Sequence, residues 1–114
     1  MSYIPLSRAD LASAKAYTIS ANRTTTGTEI IRCVDSLDII LNLSPKDRET
    51  VVVYLATAST VNIIGDIRIY SSTNYYNIAE FNIGEFGGST LTFNTVNATA
   101  HLMFVRDFEE WVAI

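Results

Sequence analysis

Aliphatic side chains recur at every second position through much of this 114-residue chain. The clearest run is 37–43, where leucine or isoleucine occupies positions 37, 39, 41 and 43. Successive side chains of an extended strand point to opposite faces, so this spacing places one aliphatic row on a single face. That face is predicted to belong to the hydrophobic core.

The same period continues to the end of the chain, interrupted by turn-forming residues. Further strands are predicted at 51–55, 61–64, 67–70, 75–81, 91–93, 101–105 and 111–114. The connection from 37–43 to 51–55 is either a hairpin or a crossing between sheets, and 61–70 is either two strands or one bulged strand. About eight to ten short strands at spacings near ten residues predict an all-β fold, an antiparallel β-sandwich or jelly-roll-like barrel.

The predicted core consists of the residues on the inward face of each predicted strand. Its members are Ile19, Ile31, Leu37, Ile39, Leu41, Val51, Val53, Val61, Ile63, Ile67, Ile69, Phe81, Leu91, Phe93, Leu102, Phe104 and Trp111.

A chain of this length has room for one core, so 16–114 is predicted to be a single β domain. Residues 1–15 lack the two-residue period and are predicted to form an arm or a short helix, capped near Ser7 and running through Lys15. We expect this segment to dock on a partner. Its candidate contact residues are Tyr3, Ile4, Leu6 and Leu11.

Composition narrows the classes of partner. Apolar residues make up 48% of the chain and charged residues 18%, which favours apolar surface that meets another protein. The net charge is −4 with isolated Lys and Arg residues, so nucleic-acid binding is not expected. No secretory signal or membrane-spanning stretch is recognisable, and we expect a protein that is made in a cytoplasm and does not insert into a membrane.

No catalytic or metal-binding pattern is recognisable. The one histidine, His101, lies beside no nucleophile motif, and the one cysteine, Cys33, is interpreted as a buried apolar residue. The carboxylates at Asp35 and Asp38 are interpreted as turn residues, and those at 107–110 as a solvated hairpin turn with weak calcium binding as a minor alternative. We therefore predict no enzyme activity, no cofactor and no metal, with a carboxylate-pair hydrolase as the remote alternative.

A second candidate surface lies around the loop 71–74. Tyr70, Tyr75 and Tyr76 flank this Ser- and Asn-containing loop, and exposed tyrosines would contact a protein or stack on a sugar. Packing of these rings in the core or at its rim is the plainer alternative.

The C-terminal third of the chain has a regular pattern in which a polar or glycine turn precedes an aliphatic strand and a hairpin delivers a Trp-containing last strand. The segments with this pattern are Gly88–Phe93, His101–Arg106 and Glu110–Ile114. In this pattern the chain resembles small β-structured bacteriophage virion proteins. Proteins of this kind include capsid decoration or cement proteins, tail-fibre heads and tail-needle knobs. The resemblance implies a non-enzymatic virion component, often trimeric, and transfers no functional residue.

Between these virion proteins, a capsid decoration or cement protein is the favoured expectation, because the sequence has no long repetitive shaft. We expect it to be made in the host cytoplasm and found in the virion. There it would be a homo-oligomer, with a trimer favoured, and would contact capsid or tail proteins of the same virus. The alternative is a tail-fibre or tail-tip head that binds a host surface glycan or protein.

Overall fold

A computed structural model describes residues 14–68, 78–83 and 89–113, and these residues form strands and turns without a helix. No helix long and apolar enough to cross a membrane occurs within those ranges. The strands are β1 (Lys15–Ile19), β2 (Arg23–Thr24), β3 (Glu29–Cys33), β4 (Leu37–Ile40), β5 (Thr50–Leu55), β6 (Val61–Gly65), β7 (Ile67–Arg68), β8 (Ile78–Ile83), β9 (Ser89–Phe93), β10 (Thr99–Val105) and β11 (Glu110–Ala113). The all-β prediction is confirmed.

The strands form two sheets that the chain visits in turn. One sheet has the order β1-β3-β5-β10-β11-β7 and the other has the order β2-β4-β6-β9-β8. We call them sheet A and sheet B. The first six strands therefore alternate between the sheets, and the connection from β4 to β5 is the predicted crossing between sheets rather than a hairpin.

The first six strands are stacked as three two-strand coils. Within sheet A, β1, β3 and β5 are parallel, with Lys15 opposite Glu29 and Glu29 opposite Val51. Within sheet B, β2, β4 and β6 are parallel in the same way. The first coil is β1 with β2, the second is β3 with β4, and the third is β5 with β6. Each coil contacts the next, as in a short solenoid.

The expectation of purely antiparallel sheets is wrong for this half of the chain. Two-residue alternation reports which face a side chain occupies and is the same for either direction of pairing. A chain that crosses to the opposite sheet after each strand returns to the first sheet running in its original direction. The parallel pairing is therefore a consequence of these crossings.

Antiparallel strands cover the third coil. In sheet A, β10 pairs with β5 and forms a hairpin with β11; in sheet B, β9 pairs with β6 and with β8. The predicted strand or strand pair at 61–70 is resolved into β6 and β7, which lie in different sheets. The chain therefore passes from sheet B to sheet A at Gly65 and Asp66, between β6 and β7.

Both sheets contribute their inward side chains to one hydrophobic core. Thirteen of the predicted core residues are buried, and Ile19 and Phe104 are partly buried against the same core. The prediction that the aliphatic row 37–43 faces the core is wrong at Leu43, which is 87% exposed because β4 ends at Ile40. The side chains of Ile69 and Phe81 lie outside the described residues. The buried members that the prediction omitted include Leu55, Ala98 and Ala100, which occupy inward positions on their strands or in a turn.

Candidate interaction site at the first coil

The first coil lies at one edge of both sheets. β1 is the end strand of sheet A and β2 is the end strand of sheet B, so each has a described neighbour on one side only. In the third coil, by contrast, β5 and β6 lie between two strands. An edge strand presents backbone N–H and C=O groups that can pair with another strand. β7 and β8 are the end strands on the other side of sheets A and B, and the first coil is the end at which both edge strands belong to one coil and can accept a partner's strands.

The hydrogen bonds of β1 identify which of its backbone groups point outward. The carbonyl oxygen of Ile19 accepts a hydrogen bond from the backbone N–H of Val34, 3.0 Å away, so the backbone polar groups of Ile19 point towards β3. In a parallel pair, alternate residues direct both groups to the same neighbour. Those of Ala16 and Thr18 therefore point away from β3, and both side chains are exposed.

Three side chains form a cluster, which we call the clamp, between the first and second coils. Arg23 Nε donates to Glu29 Oε1 at 2.7 Å, and the Arg23 guanidinium carbon lies 3.8 Å from the centre of the Tyr17 ring. Glu29 Oε2 accepts the backbone N–H of Thr26 at 2.7 Å and its hydroxyl at 3.2 Å. The clamp thus joins β1, β2 and β3.

Burial makes the clamp electrostatically significant. Glu29 is only 2% exposed. Burial raises the pKa of its carboxyl, but hydrogen bonds from Arg23 and Thr26 and the charge of Arg23 outweigh this, and the pKa is lower than the ordinary value. The hydrogen bond to Glu29 raises the pKa of Arg23 against the opposing effect of burial. Glu29 is therefore an ionised, paired carboxylate.

Further side-chain hydrogen bonds, which we call the polar corner, join the turns between coils next to the clamp. The Thr28 hydroxyl oxygen accepts the backbone N–H of Thr50 at 3.1 Å, and the Thr25 hydroxyl oxygen accepts that of Asn42 at 2.9 Å. Asn42 Nδ2 donates to Glu49 Oε2 at 3.1 Å. Within the described ranges, every buried side-chain nitrogen and oxygen has a hydrogen-bond partner. The corner therefore fastens successive turns to each other.

The outer face of sheet B carries two parallel rows of side chains. In one row, Asn62 Nδ2 donates to Asp38 Oδ1 at 3.0 Å and the Thr92 hydroxyl donates to Asn62 Oδ1 at 2.8 Å. In the other, Ile40 and Ile64 lie opposite each other and are 38% and 36% exposed. The polar row binds strands together, while the aliphatic pair is a small apolar surface.

The histidine and the cysteine occupy positions that suit structural roles. Cys33 is completely buried, and burial raises the pKa of its thiol to about 11, so the thiolate is scarce at neutral pH. The interpretation of Cys33 as a buried apolar residue is confirmed. His101 lies in β10 opposite Val52, half-buried, and burial lowers the pKa of its imidazole.

Two of the carboxylates singled out in the sequence, Asp35 and Asp38, have local hydrogen-bond partners. Asp35 Oδ1 accepts the backbone N–H of Ser36 at 2.8 Å, while Asp38 belongs to the polar row. The hairpin turn predicted at 107–110 lies one residue earlier, at 106–109 between β10 and β11, with Glu109 at φ 53° and Glu110 as the first residue of β11. In the part of the chain that the structure describes, no three His, Cys, Asp or Glu residues are grouped so as to hold a metal ion.

The residues predicted to bind partners lie outside the described ranges. They are Tyr3, Ile4, Leu6 and Leu11 of the predicted arm and Tyr70, Tyr75 and Tyr76 of the predicted recognition loop. The predicted helix is wrong at its last residue, because Lys15 is the first residue of β1. The chain has extended here because its backbone pairs with that of Glu29.

Sequence reasoning did not identify the clamp. One signal was present: Glu29 shares its parity with Ile31 and Cys33, so alternation places a carboxylate on the inward face of a strand. A buried carboxylate requires a cation or several donors. Arg23, six residues earlier across a threonine-rich turn, was the cation within reach.

Comparisons with known proteins give no family and a weak similarity to a solved structure. No protein-family model matches the chain, and no curated protein matches it. A solved structure described as "Structure of a chaperone-substrate complex" contains a chain that is similar over 85% of this protein, with 14% sequence identity and a TM-score of 0.47. This protein spans 14% of that chain.

Proposed function

We propose that the protein is a non-enzymatic structural component of a virion, a capsid decoration or cement protein that binds the viral shell as a symmetric oligomer. The observation that carries the proposal is the first coil, whose two strands are edge strands of the two sheets at the same end of the molecule. The resemblance of the C-terminal strands to phage virion proteins supplies the class of partner.

Strand addition is the binding mode that this end supports. An extended segment of a shell protein would pair with the outward backbone groups of Ala16 and Thr18, and main-chain hydrogen bonds would provide the affinity. The exposed Lys15 and half-buried Tyr17 and Ile19 would supply side-chain contacts. A partner strand at this position would also complete the cover of the inward side chains of β1.

The remainder of the molecule suits a cement role. We regard the two sheets around a shared core as a two-layered sandwich, a rigid body that loses little conformational entropy when it binds. Binding of several subunits to a symmetric shell would multiply weak single contacts. Of the groups considered for catalysis, Cys33 is fully buried, and Asp35 and Asp38 have hydrogen-bond partners, which favours a structural role for these three residues.

A pair of substitutions at Thr18 tests the binding mode. Thr18→Pro removes the outward N–H of an edge strand without removing a hydrogen bond to β3, whereas Thr18→Val retains that N–H. We expect both variants to fold and only Thr18→Val to attach to shells purified without the protein, as measured by mass spectrometry of sedimented particles. Full attachment of Thr18→Pro would contradict strand addition.

The virion assignment itself is tested on particles. Purified virions of the source virus are expected to contain the chain at a copy number that matches shell symmetry. Its absence from virions would contradict the assignment, and binding of the isolated protein to host cells would support the tail-tip alternative. Sedimentation equilibrium is expected to give three times the chain mass of 12.6 kDa, and a monomer at shell-binding concentrations would contradict the trimer.

A further inference from the structure

The first coil differs from the others in how little of it is buried. Along β1, Lys15, Ala16 and Thr18 are exposed, and Tyr17 and Ile19 are half-buried. β2 contains two residues, neither of them buried. The buried hydrophobic core starts with Ile31 of the second coil, and only Ile19 of the first coil packs against it from outside. Burial of apolar surface therefore contributes little to holding this coil.

The first coil is held instead by backbone pairing and polar contacts. Arg23 of β2 reaches Glu29 of β3, and Asn22 Oδ1 accepts the backbone N–H of Asp38 at 2.8 Å. The Tyr17 ring lies under the Arg23 guanidinium, so the same side chain also fixes β1. Local segments with few buried apolar contacts open at lower free energy than the whole protein.

We infer that the first coil opens as a separate unit before the rest of the molecule unfolds, and that the Tyr17–Arg23–Glu29 clamp controls how often it opens. Opening converts the edge of the molecule from β1 and β2 to β3 and β4. This exposes the edges of the second coil that β1 and β2 cover in the closed state. The inference does not depend on the proposed virion role.

Cys33 provides a natural probe of this opening. It is fully buried and lies in β3 opposite Ile19 of β1 on one side and Leu55 of β5 on the other. When the first coil leaves, the β1 side of Cys33 becomes open to solvent while β5 stays in place. Because the chain has one cysteine, labelling by a thiol reagent reports on this position alone.

The experiment compares two thiol positions under native conditions. Dithionitrobenzoate labels Cys33 in the natural sequence. In a second protein that combines Cys33→Ala with Val53→Cys, it labels a thiol at position 53, which is fully buried in the third coil. We expect Cys33 to react at least about tenfold faster than global unfolding allows, whereas the thiol at position 53 reacts only through global unfolding. Equal opening equilibria at both positions, after correction for the stability of each variant, would overturn the inference.

Variants of the clamp test its control of opening. Arg23→Gln leaves a buried carboxylate without its cation and is expected to accelerate Cys33 labelling on the order of 10- to 100-fold. Arg32→Gln removes the same charge from an exposed position on β3 and serves as the matched control, with a change below about threefold. Equal acceleration by the two substitutions would overturn the role of the clamp.

Two further variants distinguish the clamp from a general loss of stability. Arg23→Lys keeps the charge but not the planar guanidinium, so an intermediate acceleration is expected and the variant remains measurable if Arg23→Gln does not fold. Adding Glu29→Gln to Arg23→Gln removes the unpaired charge and is expected to restore slow labelling in part. If labelling of the double variant is accelerated by the product of the accelerations in Arg23→Gln alone and Glu29→Gln alone, a direct interaction between the two side chains is contradicted.

Discussion

At the residue scale, the clearest constraint on packing is the contact between Gly65 and Leu41. A Cβ atom at Gly65 would lie 2.9 Å from Leu41 Cδ1, 3.1 Å from its Cβ and 3.3 Å from its Cγ. Leu41 is buried, and its backbone N–H donates a hydrogen bond to the carbonyl oxygen of Ile64 at 2.9 Å. The leucine therefore cannot move aside freely, and glycine is required for space.

Gly65→Ala is accordingly expected to lower the free energy of unfolding by about 1–3 kcal/mol, measured by urea denaturation. Gly27→Ala is the matched control, because nothing lies within 4 Å of a Cβ atom there. Its effect is expected to stay within about 0.5 kcal/mol. Equal destabilisation by the two substitutions would show that space at Leu41 is not the cause.

A second prediction at the residue scale concerns how the contribution of Glu29 to the free energy of unfolding depends on pH. Its carboxyl has a lowered pKa in the folded protein, so it stabilises the fold above the ordinary pKa of 4.5, and this contribution is lost as pH falls through the folded value. Glu29→Gln is expected to lower the free energy of unfolding by about 2 kcal/mol at pH 7. The difference from the natural protein should shrink below pH 4.5.

Urea denaturation across this pH range provides the measurement, with Glu109→Gln at an exposed turn position as control. The control is expected to change stability by less than about 0.5 kcal/mol at any pH. A Glu29→Gln effect that stays constant from pH 7 to pH 3 would contradict an ionised, paired carboxylate.

At the element scale, neighbouring strands of sheet B are joined by matched side chains as well as by backbone pairing. Asp38, Asn62 and Thr92 lie opposite one another on β4, β6 and β9, and the Asn62 amide both donates to the aspartate and accepts from the threonine. The row joins a parallel pair to an antiparallel pair. It therefore fastens the coils to the strands that cover them.

Asn62→Asp is expected to destabilise the protein by about 1–3 kcal/mol at pH 7, because it replaces the donor with a second carboxylate facing Asp38. The loss should diminish at low pH, where protonation of the carboxyl introduced at position 62 removes the repulsion. Ile64→Thr, two residues along the same outward face, is the control with a small and pH-independent effect. A pH-independent loss for Asn62→Asp would contradict direct contact with Asp38.

At the scale of the whole molecule, the two halves of the chain complete each other. The third coil is buried between the second coil and the pair β9 and β10, which belong to the C-terminal half. Phe93 and Leu102 on those strands are fully buried in the core that β5 and β6 also line. Neither half encloses the core by itself.

A fragment of residues 1–66 is therefore expected not to fold, giving poorly dispersed amide signals in NMR spectra recorded under conditions where the full chain is well dispersed. Removal of β9 and β10 exposes the aliphatic faces of β5 and β6 and leaves both as unpaired edges. A well-dispersed spectrum of the fragment would show that the coils are stable without their cover.

Strand positions and inward faces could be predicted from local pattern alone. Leu37 and Ile39, or Val61 and Ile63, alternate with polar or exposed residues, and pleating makes this alternation a property of a few consecutive residues. The apolar residues around Cys33 correctly predicted its burial, and the segment 107–110 predicted a hairpin turn that the structure places at 106–109. The parity that Glu29 shares with Ile31 marked an inward carboxylate, but the sequence prediction did not use this signal.

Tertiary structure decided the pairing. Whether β3 lies beside β1 and β5, and in which direction, depends on the chain crossing to the other sheet after each strand, and alternation is identical for either direction. The union of Arg23, Tyr17 and Glu29 likewise depends on β1 and β2 stacking on the second coil. Local periodicity determines which residues face inward, whereas long-range contacts determine which strands and side chains meet.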